Sequence, residues 1–375
     1  MRDGVVDLLS RLVAVDSVNP SLVPGGAGEA AIASVVADWA RSAGLEASLH
    51  EATPGRPSVV VRRRGSGGGR TLLLCGHIDT VGVEGMIDPH APRVDGDRLY
   101  GRGAYDMKAG VAAALLACAE AGPLAGDVVV AAVADEEHAS LGVQEVLRSV
   151  GADFAVVTEP TELEVAVAHK GFVWLEVEVS GRAAHGSRPH LGLDAIARTG
   201  PILTGIGELD VALGDRSHPL LGRPSVHASL IDGGAEMSSY PARCVVGLER
   251  RTLPGETAAG VEAELAELLD RCRAGDPELR AEQRTLLVRE PFEVDPGAEV
   301  VRAVSEAAAE VLGAPPAIGG ASYWADAAFI AAAGIPTVML GPAGEGAHAV
   351  EEWVSIDSTV AVARSLVAAA RRLCA

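Results

Sequence analysis

Histidines and acids in this sequence fall where apolar runs end, and they are residue types that bind cations and move protons. The run Leu72-Leu73-Leu74-Cys75 leads into Gly76-His77-Ile78-Asp79-Thr80. Residues i and i+2 of an extended chain share a face, so Asp79 lies near His77. Its carboxylate can fix the tautomer and ring orientation of a metal-binding imidazole; equally, it is a turn acid that satisfies a strand-end histidine. Tyr100-Gly101-Arg102-Gly103-Ala104-Tyr105-Asp106-Met107-Lys108 sets Asp106 at the start of an Ala-rich helical stretch. There it serves as an N-cap or as a carboxylate whose two oxygens bridge two metal ions. Asp135-Glu136-Glu137-His138 follows the apolar run ending at Val133. Three consecutive acids are costly there unless solvated or bound to cations. They form either an acidic first helical turn or a pair of glutamates with divided work, one binding metal and its neighbour handling protons. Phe154-Ala155-Val156-Val157-Thr158-Glu159 ends in another acid, and Gly341-Pro342-Ala343-Gly344-Glu345-Gly346-Ala347-His348 puts a histidine on a Gly-rich loop. Jointly the strand ends offer His-x-Asp, Asp, Glu-Glu, Glu and His, a donor set suited to Zn, Co or Mn and too poor in sulfur for a cluster.

A fold must bring those ends together. The first 160 residues alternate between helical spacing (Val5–Val15, Ala30–Ala43, Ala109–Ala121, Leu141–Val150) and short Val- and Leu-rich runs (Ser58–Arg62, Thr71–Cys75, Asp127–Val133, Phe154–Val157). Gly44 stands where a helix C-cap belongs. The alternation predicts an α/β fold, a mixed, largely parallel sheet flanked by helices. Sites in such sheets form at the carboxyl edge of the strands. From about Lys170 the texture changes. Phe172–Ser180 alternates like a half-exposed strand; helix Leu193–Leu209, strands Ser225–Ile231 and Arg243–Arg250, helix Glu256–Arg273 and a strand near Ala281–Val288 follow. Strand-helix-strand-strand-helix-strand is the ferredoxin-like order. After Asp295-Pro296 the α/β texture returns with helices Val300–Leu312, Asp326–Ala333 and Ser358–Leu373 and a strand at Thr337–Leu340. The expected organisation is a metal-binding domain of residues 1–170 plus 289–375, interrupted by an inserted α+β domain at 171–288.

Composition narrows the function classes. Lys+Arg 31 against Asp+Glu 51 gives a net charge of −20, which repels a phosphate backbone, so neither nucleic acid nor an anionic membrane is an expected partner. The longest apolar stretch, Ala109–Ala121, carries a charge at Glu120 and is too short to span a bilayer. Met1-Arg2-Asp3-Gly4-Val5-Val6 does not read as a signal peptide. The five cysteines (75, 118, 244, 272 and 374) are an odd set without a C-x-x-C pair, as expected of reduced thiols in a cytoplasmic protein. The loop Arg62–Arg70 is rich in Gly and Arg but is not a phosphate cradle, and no G-x-x-x-x-G-K-[ST] or G-x-S-x-G motif occurs.

These motifs together resemble the co-catalytic zinc amidohydrolase family of acetylornithine deacetylase, succinyl-diaminopimelate desuccinylase, carboxypeptidase G and the aminoacylases. The resemblance runs from Val15-Asp16-Ser17-Val18-Asn19-Pro20 to the final helix. Its specific parts are Gly76–Val81, Gly101–Lys108, Asp135-Glu136-Glu137, Glu159-Pro160-Thr161 and Gly346-Ala347-His348-Ala349. It implies a zinc-exopeptidase-like catalytic domain with a ferredoxin-like lid and dimerisation domain. It also implies two divalent ions, Zn with Co or Mn as alternatives. His77 and Glu159 would hold one, Glu137 and His348 the other, and Asp106 both, with Asp79 orienting His77. Glu136 would be the general acid/base. In the insertion, Gly181-Arg182-Ala183-Ala184-His185-Gly186-Ser187 resembles the lid motif whose histidine reaches the neighbouring subunit's site, and Glu249–Gly255 resembles the segment whose arginine, here Arg251, grips a substrate carboxylate. Gly319–Asp326 looks like a substrate-pocket loop, which makes Asp326 a candidate. Ser238 stands where many relatives have Asn, Ala325 where Thr is frequent, and His138 where a small residue is commoner; these departures bear on substrate. The implied activity is hydrolysis of the amide of an N-acyl amino acid by a homodimer. A dipeptidase or a carboxypeptidase G-like peptidase is the alternative, and a non-catalytic metal-binding scaffold a more distant one.

Overall fold

The runs Leu72–His77, Val128–Val133, Phe154–Val157 and Thr337–Met339 are buried along their whole length, which requires cover on both faces. In the computed structural model, which describes residues 1–375, the four lie side by side and mutually parallel, in the order Val128–Val133, Leu72–His77, Phe154–Val157, Thr337–Met339. Antiparallel strands extend the sheet on each side. Ser58–Arg63 and then Glu46–His50 continue it beyond Val128–Val133, and Val165–His169 follows Thr337–Met339. The protein is thus mixed α/β with a largely parallel central sheet, flanked by helices.

Helix positions follow from apolar spacing. In Arg2–Val13 the residues Val5, Leu8, Leu9 and Leu12 recur at the helical interval and are all buried. Ala109–Glu120 is apolar all round and buried from Ala109 to Cys118, packed against Ile356–Leu373, which also meets Glu299–Leu312. Gly44 closes Ala30–Ser42 with a left-handed φ of 77°. Several strands, Glu46–His50 and Val165–His169 among them, had no sequence signal. Glu46–His50 is a mostly exposed edge without alternation, and Val165–His169 is a uniformly buried run of five residues. The helix expected over Leu141–Val150 stops at Val146. No helix is long and apolar enough to cross a membrane.

Two compact units divide the chain. The first comprises Met1–Val167, Val294–Gly320 and Ala325–Ala375; the second comprises Ala168–Glu293 with Ala321–Trp324. The second holds a four-stranded antiparallel sheet in the order Ser225–Gly233, Arg243–Thr252, Gly171–Ser180, Arg280–Arg289. On Gly171–Ser180 the alternate residues Val173, Leu175, Val177 and Val179 enter a core shared with helices Ala195–Leu213 and Ala258–Gly275. Asp194 and Thr257 cap those helices, accepting the N–H groups of Ala197 and Gly260.

One buried ion network supports this second core. Arg250, only 1% exposed, donates to Glu256 at 2.8 Å and Glu264 at 3.2 Å, and Arg216 bridges the same two carboxylates. Burial raises the Glu256 pKa, but the Arg250 bond, the Leu253 N–H and Arg216 outweigh it and leave it lowered. A carboxylate held down this way stabilises the fold above its unfolded pKa of about 4.3 and stops doing so as pH falls through its folded value. Glu256→Gln should therefore cost about 1–3 kcal/mol at pH 7. Thermal melts should show the gap to the parent protein closing below about pH 4; a gap that stays constant with pH would contradict the assignment.

Candidate metal and catalytic site

Four parallel strands end at the same sheet edge, so the segments that follow them converge there. His77 ends its strand 2% exposed. Glu136 and Glu137 come three and four residues past Val133 in a turn, Glu159 comes two past Val157, and His348 sits on the loop after Met339. Asp106 lies just before helix Ala109–Glu120 in a non-helical conformation (φ −112°, ψ 95°) and makes no capping bond, so the N-cap reading does not hold. The acidic first-turn reading of Asp135–Glu137 fails as well, because the next helix begins only at Leu141.

The geometry is that of two facing half-sites. Asp106 reaches His77 Nε2 with Oδ1 at 3.2 Å and His348 Nε2 with Oδ2 at 3.3 Å. Glu137 Oε2 lies 3.1 Å from His348 Nε2, while Glu159 Oε1 and Glu136 Oε2 lie 3.8 and 4.0 Å from His77 Nε2. His77, Glu136 and Glu159 can present one ligand atom each within 4.8 Å of one another, and so can His77, Asp106 and Glu137. The first of these sets counts Glu136 as a donor, whereas the family pattern makes it the base. Proximity does not separate the two roles. Glu137 contacts His348 and also falls in the set with His77 and Asp106.

The electrostatics call for cations. Burial, with Glu159, Asp326 and Glu137 nearby, raises the Glu136 pKa well above the ordinary value against the pull of His77; Glu159 is raised in the same way. Burial lowers the His77 pKa, but the surrounding carboxylates raise it well above normal overall. His348 is pushed up to about 10 by its bonds to Asp106 and Glu137. Those histidines in turn hold Asp106 well below the usual carboxylate range despite its burial. Buried acids that raise one another's pKa are stabilised by divalent ions, and imidazole with carboxylate is a donor set that zinc, cobalt and manganese accept. The residues fit a metal pair.

Asp79 differs from expectation in how it acts. His77 Nδ1 is 3.0 Å from the backbone carbonyl of Asp79 and 3.7 Å from its carboxylate, so the carbonyl orients the ring. The carboxylate instead accepts the N–H groups of Glu136 at 3.1 Å and Glu137 at 3.2 Å. Asn19 links that carboxylate (2.8 Å) to Asp135 (3.1 Å). Asp135 is buried with φ 68° and paired with Arg56 at 2.7 Å, and Arg56 also grips Glu29 with two bonds of 2.6 Å. The first acid of the triplet is therefore structural. Asn19, Arg56 and Glu29 had no local sequence signal, since their partners are distant along the chain.

Two glycines shape the His348 loop. A Cβ on Gly341 would lie 1.8 Å from the Glu159 carbonyl, and one on Gly346, where φ is 91°, would lie 2.0 Å from that of Glu351. Asp326 is 2% exposed, and its charge bears on Glu136 and Glu159, so it belongs to this cluster. The other candidates lie in the second unit. His185 is exposed with Nδ1 2.8 Å from Ser187 Oγ, and Ser238 is an exposed loop residue near Glu236. Of the two adjacent arginines, Arg250 is consumed by its ion network. Arg251 is partly exposed, 5.1 Å from the Phe172 ring centroid and paired with Glu249.

A cluster of imidazoles and carboxylates gathered at the edge of parallel strands fits a metal-dependent hydrolase. Residues 73–372 match Peptidase family M20/M25/M40. The chain is 30% identical over 343 residues to an acetylornithine deacetylase of Myxococcus xanthus, covering 89% of this chain and 88% of that protein. It is 29% identical over 367 residues to N-formyl-4-amino-5-aminomethyl-2-methylpyrimidine deformylase of Bacillus subtilis, covering 88% and 86%. The fold is that of the M20 metallo-carboxypeptidase Sso-CP2 of Sulfolobus solfataricus (TM-score 0.80, 20% identity, 98% of each chain). The chain belongs to peptidase family M20/M25/M40, metal-dependent enzymes that hydrolyse C–N amide bonds.

Proposed function

We propose that this enzyme removes the acyl group from an N-acyl amino acid, using two divalent ions, zinc first among them. His77 and Glu159 would hold one ion and Glu137 and His348 the other, with Asp106 available to both. The observation that carries the reading is the pair of Asp106 oxygens, each directed at a different histidine. Such a metal pair supplies a lowered water pKa and polarises the scissile carbonyl. Glu136 accepts the proton of the attacking water and passes it to the departing nitrogen; burial raises its pKa, and the neighbouring ions would draw it back down. Asp79 holds Glu136 and Glu137 by their backbone N–H groups, so base and ligand stay in fixed relation.

The second unit serves as a lid and dimerisation domain. His185 donates to the oxyanion of the neighbouring subunit's substrate. Arg251 grips the substrate carboxylate by two parallel bonds, and Ser238 and Asp326 are the other candidates for substrate contact. A homodimer is supported by the edge strand Ser225–Gly233, where Leu230 is 74% and Ile231 58% exposed, and by Val211, 77% exposed on helix Ala195–Leu213. Free, mostly buried cysteines suit the cytoplasm.

The two relatives near 30% identity are both named for N-deacylation, which favours deacylation over peptide cleavage. Zinc-loaded enzyme assayed on N-acetyl, N-formyl and N-succinyl amino acids and on dipeptides should act best on one of the acyl series. A chelator should abolish the activity, and zinc or cobalt should restore it. Turnover confined to dipeptides would replace the deacylase reading with a peptidase, and activity indifferent to chelation would remove the metal mechanism.

A further inference from the structure

The backbone carrying Asp106 is fastened by a carboxylate from the loop that carries His348. Glu352 is 1% exposed. Its Oε1 accepts the N–H groups of Tyr105 at 2.9 Å and Asp106 at 3.0 Å, and its Oε2 accepts that of Gly103 at 3.0 Å and the Arg102 guanidinium at 2.6 Å. Arg102, 2% exposed, continues to the carbonyl of Ala349 at 2.9 Å, the residue next to His348. Both Glu352 oxygens are thereby occupied, so this acid is a fastener, not another ligand. Segments 101–108 and 346–352, 250 residues apart at the Arg102–Glu352 bond, share one set of bonds, and Asp106 and His348 cannot shift independently. Groups that orient metal ligands from behind commonly change affinity by about 10–100-fold when altered.

We propose that Glu352 and Arg102 are positioning residues that set Asp106 against His348 and so fix the place of the second cation. The proposal rests on the reading of Asp106 as shared by two ions. The experiment is a titration of metal-stripped full-length protein with Co(II), followed by visible absorption and by competition with a chelator. In Glu352→Gln the first equivalent, held also by His77 and Glu159, should be weakened less than the second. The second should bind about 10–100-fold more weakly, with an altered absorption band. Arg250→Met, which breaks a buried pair in the second unit, should lower the melting temperature and leave both cobalt steps unchanged. If Glu352→Gln behaves like Arg250→Met, the positioning role is overturned and Glu352 is merely structural. Asp106→Asn separates the two levels: if it still takes up two equivalents with parental affinity, the shared-ligand reading falls and this proposal with it. Should Glu352→Gln lack a cooperative melt, Arg102→Lys replaces it. That variant keeps the carboxylate and its three backbone bonds but releases the Ala349 carbonyl, and the same weakened second step supports the proposal while an unchanged one overturns it.

Discussion

Glu136→Gln should lower kcat by roughly 10²–10⁴-fold, the usual worth of a positioned general acid/base, while the protein retains two equivalents of metal. The substitution keeps the side chain's size and removes only its capacity to take a proton, and the Glu136 N–H that Asp79 accepts is untouched. Glu137→Ala should behave oppositely. It deletes the oxygen 3.1 Å from His348, so one equivalent of metal should be lost and activity should fall with it. Metal analysis and steady-state kinetics on both variants decide the assignment, which matters because proximity alone groups Glu136 with His77 and Glu159. Full turnover by Glu136→Gln would refute it, and two retained ions in Glu137→Ala would undo the division of labour between the two glutamates.

The second large effect concerns His185. His185→Ala should lower kcat about 10²–10³-fold, as removal of one oxyanion donor does, without changing metal content. If the histidine serves the neighbouring subunit, mixing His185→Ala with Glu136→Gln under conditions of subunit exchange should restore activity from two inactive parents. A heterodimer then has one site combining an intact Glu136 with an intact His185, so an equimolar mixture should approach about one quarter of parental activity in a twofold-symmetric dimer. No recovery, with exchange verified by mass, would place His185 within its own subunit's chemistry or outside the reaction. A fully active monomer would argue against the intersubunit role altogether.

How much of this could be read from the sequence depended on locality. Acids and histidines after fully buried strands stand out because burial without a partner is costly, and His77, Glu159 and the Glu136-Glu137 pair were visible on that ground. The alternating faces of Gly171–Ser180 were equally legible, since a period of two needs no knowledge of the rest of the fold. Asp106 was found, but its conformation was not; nothing local distinguishes an irregular turn ending at Lys108 from an earlier start of the helix. The further bonds of the Asp79 carboxylate were hidden for a similar reason. Spacing brought it near His77, while the Glu136 and Glu137 N–H groups that claim it lie 57 and 58 residues further on. Glu29 with Arg56, and Arg102 with Glu352, are pairs that only the assembled sheet edge brings together.

Gly341 and Gly346 leave no room for side chains against the Glu159 and Glu351 carbonyls. The stretch between them and His348 is therefore poor ground for variation: nearly any change there would disturb a ligand before it altered selectivity. New acyl preferences, whether arising naturally or sought in a laboratory library, should accumulate away from this stretch, around positions such as the exposed Ser238 and the partly exposed Arg251. The reaction chemistry and the choice of substrate would then be inherited separately.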